Sequence, residues 1–352
     1  MLHRRLGRTN LEISSVSFGG LPITFIPPEE AIKVMNAAID EGMNYFDLDE
    51  GPAQFHNRAY IDSQNKIGKI LKTRRNEVYI GVKTMRKKKI EVLEDIKKAH
   101  ELLVKGTSRE VIDIFHLAFV DYDFHLKEIT APDGAIEGLK EAKKQGLINH
   151  TLVAGHNRGV LIDAIKTGEF DVVEFPFNIV EREVIDDLIP LANKMDIGTL
   201  VMKPLGGGQF GEVVTAQLKW ILEKPITAVI PGTKTVEEVK MNAAFGRKQQ
   251  KITESELKQL EEFGRRMAKI YCHRCGYCLP CSQSIMIFGL LDILLAGVLS
   301  FEKKKIAYLQ AIEKGFLVPA SKCTACGECM PRCPYELPIP DLMKQVVEKF
   351  GI

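Results

Sequence analysis

Two rhythms of apolar and polar residues alternate through the first part of this chain. Short runs rich in β-branched residues occupy 15–18, 44–47, 78–83, 112–119, 151–154, 172–175, 198–203 and 228–231, and such runs predict buried strands. Between them lie stretches with apolar positions at helical spacing: 28–41, 63–73, 90–104, 134–144, 159–166, 182–194, 214–223 and 236–245. Residues 63–73, for example, put Ile67, Ile70 and Leu71 on one face. Strand then helix, eight times over about 250 residues, is the arithmetic of a (β/α)8 TIM barrel. The runner-up is a doubly wound open sheet, but no G-x-G-x-x-G follows an early strand, so the usual dinucleotide fingerprint of that fold is missing. A barrel does its chemistry at the carboxyl ends of its strands. That singles out Asp47, Lys83, His116–Ala118, Ala154–Asn157, Glu174–Phe177, Lys203–Gly208 and Gly232–Lys234. A further helix, 254–269, leads out of the barrel.

Composition narrows the class. Of 352 residues, 45% are hydrophobic and 27% charged, with a formal net charge of +2. No nucleic-acid footprint is expected without a basic excess, and the basic run Arg86–Lys89 reads as a solvated loop. The first residues lack the apolar core of a secretory signal. The most apolar stretch, 285–301, is short for a membrane span and contains Asp292. It reads as a buried or partner-covered helix, so no membrane span is expected and the setting is cytoplasmic.

All eight cysteines lie between Cys272 and Cys333, which makes 271–352 a separate chemical unit from the barrel, 1–270. Cys272, Cys275, Cys278 and Cys281 form C-x2-C-x2-C-x2-C; Cys323, Cys326, Cys329 and Cys333 form C-x2-C-x2-C-x3-C, followed by Pro334. The second run has the spacing of bacterial ferredoxins. Three cysteines at three-residue steps let one winding loop reach three corners of a cubane, and the fourth corner is filled from the other run. Cys272, Cys275, Cys278 and Cys333 are therefore assigned to one 4Fe-4S cluster, and Cys323, Cys326, Cys329 and Cys281 to a second. Zinc prefers two separate C-x2-C pairs, and disulfides suit exported chains. The first run departs from the ferredoxin pattern by its shorter last spacing and by Ser282 in place of proline. His273 reads as a surface residue or a neighbour of the ligands. Two helices, 285–299 and 303–314, are expected between the runs.

Several segments in order resemble the aldo-keto reductase family: RRLGRTNLEISSVSFGG, GMNYFDLDE, INHTLVAGHN, EFPFNIVER, VMKPLGGG and VIPGTKTVEEVKMN. With the cysteine runs, the chain resembles the subgroup of that family carrying a C-terminal ferredoxin-like domain. The resemblance implies a tetrad of Asp, Tyr, Lys and His. In it Tyr is the general acid, Lys paired with Asp lowers the Tyr pKa, and His orients the carbonyl. Asp47 and Lys83 match two members. The tyrosine position by direct spacing is Pro52; a later alignment through Tyr60, Ser63, Ile67 and Gly68 makes Tyr60 the candidate. Family spacing from Asp113 puts the histidine at Ala118. His116 lies two residues earlier, on the same strand face but one layer deeper, as a displaced orienting group or a packed core histidine, and His125 is a weaker stand-in.

The same resemblance implies NAD(P)H at the barrel mouth. Gly232, Thr233, Lys234 and Asn242 match its adenosine end, and Asn157, Glu174, Phe177 and Lys203 its nicotinamide end. The family's carboxamide serine falls on Ala154, its glutamine on Glu174 and an arginine on Glu238, where a carboxylate opposes a 2′-phosphate while Lys234 attracts it, so both NAD and NADP stay open. Phe177 would replace the stacking tyrosine. The implied activity is an oxidoreductase acting on a small carbonyl or alcohol, with two 4Fe-4S clusters relaying electrons to an electron-transfer protein. The alternatives are a conventional reductase with structural clusters, and a catalytically degenerate barrel serving as an electron carrier or redox-sensing subunit. A flavin would couple two-electron to one-electron chemistry, but the sequence carries no flavin motif.

Overall fold

The computed structural model describes residues 1–48, 62–295, 297 and 300–352. These cluster into two compact units, Met1–Phe177 with Arg182–Pro204 and Leu218–Ile252, and Asn178–Glu181 with Leu205–Gln217 and Thr253–Ile352.

The first unit is the (β/α)8 barrel. Its strands are β3 (Phe18–Gly19), β4 (Tyr45–Leu48), β5 (Tyr79–Thr84), β6 (Ile112–Leu117), β7 (Ile148–Ala154), β8 (Val172–Pro176), β9 (Gly198–Met202) and β10 (Ala228–Val229). They pair in parallel from β3 through to β10. Parallel bridges Val16–Val229 and Gly19–Gly232 join the two ends into a closed sheet, with Gly19 N–H donating to Pro231 O at 3.2 Å. Closure removes the unpaired edges that an open sheet would expose. Burial on both faces explains why these strands read as continuous apolar runs; all six residues of β6 are buried.

A short hairpin precedes the barrel: β1 (His3–Arg5) and β2 (Glu12–Ser14), paired antiparallel. Its Leu6 and Ile13 join Tyr45, Ile114, Leu152, Val172, Leu200 and Ala228 in one buried cluster. The hairpin therefore seals one end of the barrel with apolar side chains, each worth about 1.5–3 kcal/mol when fully buried.

The helices around the sheet follow the sequence periodicity with two exceptions. The stretch 182–194 is a single-turn 3-10 segment, Glu183–Ile185, then α7 (Leu188–Lys194). Pro190 is the reason: it lacks an N–H and its ring conflicts with the carbonyl four residues earlier, so it fits only the first turn of a helix. An extra helix, α4 (Asp123–Thr130), buries only Ile129, too little to leave an apolar stripe. The strand expected to reach 119 stops at Leu117, because Phe119 adopts a left-handed φ of 54°.

The second unit is mainly helical: α10 (Glu254–Met267), α11 (Ile287–Leu295), α12 (Phe301–Glu313) and α13 (Ile339–Phe350). Thr253 and Glu256 form a capping box at the start of α10, which satisfies two otherwise orphaned amides. Helices α11 and α12 are the pair expected between the cysteine runs. Ile287, Leu290, Leu291 and Leu294 of α11 are buried against Leu342, Met343, Val346 and Phe350 of α13. No helix among the described residues is long and apolar enough to cross a membrane.

Candidate functional site

Four strands of the first unit aim polar side chains into its interior at the carboxyl end. The register sets Asp47 beside Gly81, Lys83 beside His116, and Ala154 beside Glu174. Lys83 Nζ donates to Asp47 Oδ2 at 2.8 Å and lies 3.7 Å from Glu174 Oε1. His116 is fully buried. Its Nδ1 lies 3.6 Å from Asp47 Oδ1 and 3.4 Å from Glu174 Oε2, and its Nε2 lies 3.1 Å from the Tyr45 hydroxyl. Gly81 leaves room for that last pair, since a Cβ there would overlap both the Tyr45 oxygen and His116 Nε2. Burial and the Glu174 charge push the Asp47 carboxyl above its usual range, against the opposing pull of Lys83 and His116. Burial drives His116 down to about 3, which keeps the imidazole neutral. The histidine thus lies inside the core, two residues before Ala118 on the same strand, and hydrogen-bonds to Tyr45 there. Tyr60 and Pro52 lie outside the described residues.

A second constellation was not legible as a unit in the sequence. Lys203 Nζ lies 2.9 Å from His156 Nε2, and His156 Nδ1 lies 3.4 Å from Asp121 Oδ2. Lysine only donates, so Nε2 accepts and the ring proton faces Asp121, whose other oxygen takes the His156 backbone N–H. The three residues follow β9, β7 and β6, and that position at strand ends was the one signal that could have grouped them. His125 belongs to the same corner; its Nδ1 accepts from the Asp121 N–H at 3.3 Å. Burial alone would raise the Asp121 pKa, but the electrostatic pull and hydrogen bonds of His156, with the Lys203 charge behind, bring it down to about 2. A depressed carboxyl stabilises the fold above its unfolded pKa of about 4, and the benefit disappears as pH falls toward 2. Asp121→Asn is therefore expected to lower unfolding free energy at pH 7 by on the order of 2 kcal/mol. Urea titrations of both proteins should show the gap closing between pH 4 and pH 2; a gap independent of pH would refute the pairing.

The basic run is less solvated than its sequence implies. Lys87 Nζ donates to Ala118 O at 2.7 Å, and burial lowers its pKa to about 8.

The residues matched to a dinucleotide site divide between roles. Thr233 is fully buried, donates to Pro231 O at 3.0 Å and accepts from Asn242 Nδ2 at 3.2 Å. Asn242 Oδ1 is buried without a hydrogen-bond partner. Glu238 accepts the Lys234 backbone N–H at 2.7 Å. Gly232 packs against Pro22, whose ring a Cβ would crowd at 2.9 Å. Asn157 Oδ1 caps α6 (Arg158–Lys166) through Gly159 N at 3.0 Å. Phe177 departs from its expected place. Its ring is fully buried and packs against Trp220, centroids 5.2 Å apart, so it presents no face to a ligand.

In the second unit the two cysteine loops repeat one backbone pattern. Left-handed φ values occur at Arg274 (58°) and Ala325 (54°), at Gly276 (76°) and Gly327 (78°), and at Ser284 (56°) and Glu336 (53°). Each pair occupies the same place relative to its cysteines. Alternating left- and right-handed residues turn successive N–H groups inward, a nest suited to anionic sulfur; Arg274 N–H donates to Cys272 Sγ at 3.4 Å. All eight cysteines are free thiols. Burial pushes Cys272 up to about 11 and Cys278 to about 12. Cys275 is raised by burial and then by Cys333, whereas Cys329 is raised by burial and then by Cys323, Cys326 and Cys281. His273 is buried rather than superficial, stacked on Tyr335 with centroids 3.5 Å apart.

A profile of the aldo/keto reductase family matches residues 15–215, more than half of the chain. The chain belongs to the aldo/keto reductase family. Among curated relatives, it is 22% identical to a probable aldo-keto reductase 1 of Glycine max, over 59% of this chain and 60% of that protein. It is 23% identical to L-galactose dehydrogenase of Arabidopsis thaliana, over 59% of this chain and 67% of that protein. The chain thus spans about three fifths to two thirds of the length of these relatives. The barrel also superposes on solved family members. The apo form of an aldo-keto reductase from Bacillus halodurans gives a TM-score of 0.58 at 19% identity, covering 74% of this chain and 95% of that one. A Klebsiella pneumoniae aldo-keto reductase in complex with NADPH gives 0.60 at 17% identity, covering 74% and 94%.

Proposed function

We propose that this aldo/keto reductase family member is a nicotinamide-dependent oxidoreductase that interconverts a small carbonyl and its alcohol, with two 4Fe-4S clusters relaying electrons to a partner protein. In this reading 1–270 is the catalytic barrel and 271–352 a ferredoxin-like domain. The observation that carries it is the buried Lys83–Asp47 pair at the carboxyl ends of adjacent barrel strands. Asp47 holds the Lys83 ammonium in place. Lys83 puts positive charge where a carbonyl oxygen gains negative charge, and it eases proton release from Tyr60, the assigned general acid.

The chain has groups suited to a nicotinamide dinucleotide. The orphaned Asn242 Oδ1 fits an amino donor of the adenine end, beside Gly232, Thr233 and Lys234. At the other end Asn157 and Lys203 line the strand ends, while the buried Glu174 and Phe177 belong to the wall. When bound, the dinucleotide supplies or accepts the hydride. Because Glu238 already takes the Lys234 N–H, a carboxylate stands where a 2′-phosphate would need a donor, which favours NADH over NADPH.

The cysteine loops fit two clusters. Cys275 feels Cys333, and Cys329 feels Cys281, Cys323 and Cys326, in keeping with the assignment of Cys272, Cys275, Cys278 and Cys333 to one cubane and Cys281, Cys323, Cys326 and Cys329 to the other; Cys278 also feels Cys329 across the two groups. Zinc would draw its thiolates to about 3.8 Å of one another, given Zn–S bonds of about 2.3 Å. Among the described residues, the group of donor atoms gathered within 4.8 Å is Asp47, His116 and Glu174, not the cysteines. When bound, each cluster takes up and returns one electron. Eight unpaired thiols suit a reducing, cytoplasmic compartment.

Anaerobic titration of the holoprotein with NADH and NADPH, followed by protein fluorescence, tests the reading. Saturable binding is expected, tighter for NADH; no binding of either sinks it. A second reading, a degenerate barrel in an electron carrier or redox-sensing subunit, draws support from Ala118 and from the depth of His116. It expects iron without nucleotide binding. A conventional reductase with structural clusters expects turnover independent of cluster redox state.

A further inference from the structure

Asp47 Oδ1, His116 Nδ1 and Glu174 Oε2 are all buried, and none has a hydrogen-bond partner. They converge on one another, with all three atoms inside 4.8 Å. Two carboxylate oxygens pressed together beside an imidazole nitrogen in a dry interior repel unless a proton or positive charge lies among them. Lys83 does not supply it. Its ammonium addresses the opposite oxygens, Asp47 Oδ2 at 2.8 Å and Glu174 Oε1 at 3.7 Å. Two carboxylates against one ammonium leave a single negative charge in excess. One proton neutralises the cage, whereas a divalent cation would leave it positive beside Lys83.

We propose that Asp47, His116 and Glu174 share one buried proton, and that Glu174 is a positioning residue that holds this proton in reserve for Lys83. The inference rests on the carbonyl-reduction reading of the same site. Among the described residues, the groups facing the cage are Tyr45 and Asp47 from β4, Lys83 from β5, His116 from β6 and Glu174 from β8. Leu152 and Ala154 of β7 and Leu200 of β9 add no charge. Asp113, deeper in β6, is matched by Arg75 at 2.8 Å. Tyr45 fixes the ring through Nε2, which turns Nδ1 toward the carboxyls. The neutral imidazole and the raised Asp47 carboxyl agree with a proton residing on the carboxyl pair.

Reduction of a carbonyl forms one C–H bond from a hydride of the reduced dinucleotide and one O–H bond from a proton. The C=O π pair becomes the electron pair of the new O–H bond. The acid that gives this proton is restored through Lys83. Lys83 draws in turn on the cage, which refills from solvent, so no electrons move within the cage.

Infrared difference spectra of the anaerobic holoprotein near neutral pH test the shared proton without turnover. The carbonyl stretch of a protonated carboxyl is expected in the parent and in Asp121→Asn, and is expected to vanish in Glu174→Gln and in Asp47→Asn. Absence of that band in the parent overturns the proposal. So does one Mn2+ per chain, bound by the parent and lost in Glu174→Gln, because a metal would then occupy the cage. Turnover gives the second readout. Glu174→Gln should move the alkaline fall of kcat about one unit or more to lower pH, because the reserve proton is no longer retained. A uniform loss of kcat with no shift would mark a merely structural carboxylate and overturn the proposal. An inactive parent would defeat the reduction reading alone, since the infrared result stands without it.

Discussion

Lys83→Met is expected to cut kcat for carbonyl reduction about a thousandfold, within the range that positioned proton-transfer groups contribute. Methionine keeps most of the length and apolar stem of lysine but removes the ammonium. Asp47 then loses its 2.8 Å partner, and Glu174 the cation 3.7 Å from it. Both carboxyls answer by holding protons, since an unpaired buried carboxylate is costly. The carbonyl oxygen no longer gains charge beside a cation. Dinucleotide affinity should change little, because Lys83 is remote in sequence and strand position from the Gly232–Lys234 loop. Steady-state assays beside fluorescence titration separate the two. Retention of more than a tenth of the parent kcat would remove Lys83 from the chemistry.

Cys329→Ser is expected to lower iron from about eight to about four per chain and to halve the visible absorbance of anaerobic material. Serine is a poorer ligand than thiolate, and Cys329 is coupled to Cys323, Cys326 and Cys281. The loss should therefore stay with that group and spare the one around Cys272. Cys275→Ser should cost the other four irons, and the double variant all of them. Because thiols displaced toward 11 and 12 must shed protons to bind metal, assembly should weaken on acidification. Iron and sulfide analysis decides the matter. Colourless parent protein carrying only zinc would refute the cluster assignment.

Much of the barrel was legible because its physics is local. A strand buried on both faces needs an unbroken apolar run, and its helix needs a stripe, so both leave their period in the sequence. What could not be read lies in contacts between distant strands. His116 looks like a slightly misplaced family histidine, and only the register with Leu152 and the Tyr45 hydroxyl reveals its depth. Asp121, His156 and Lys203 carry no shared spacing, and their meeting depends on three separate strand ends. Lys87 shows the limit of charge patterning, since a basic run says nothing about which member folds inward. The two cysteine runs are legible as spacing within a loop, and their grouping around a metal is left to the iron analysis. The breaks at Pro190 and Phe119 depend on single backbone angles that periodicity does not register.

The amino-terminal hairpin has an operational consequence. With Leu6 and Ile13 stopping one end, the barrel is blind, and every arrival and departure shares a single doorway. Any small molecule exchanged with the interior must pass there. An occupant that lingers at that doorway delays its own successor.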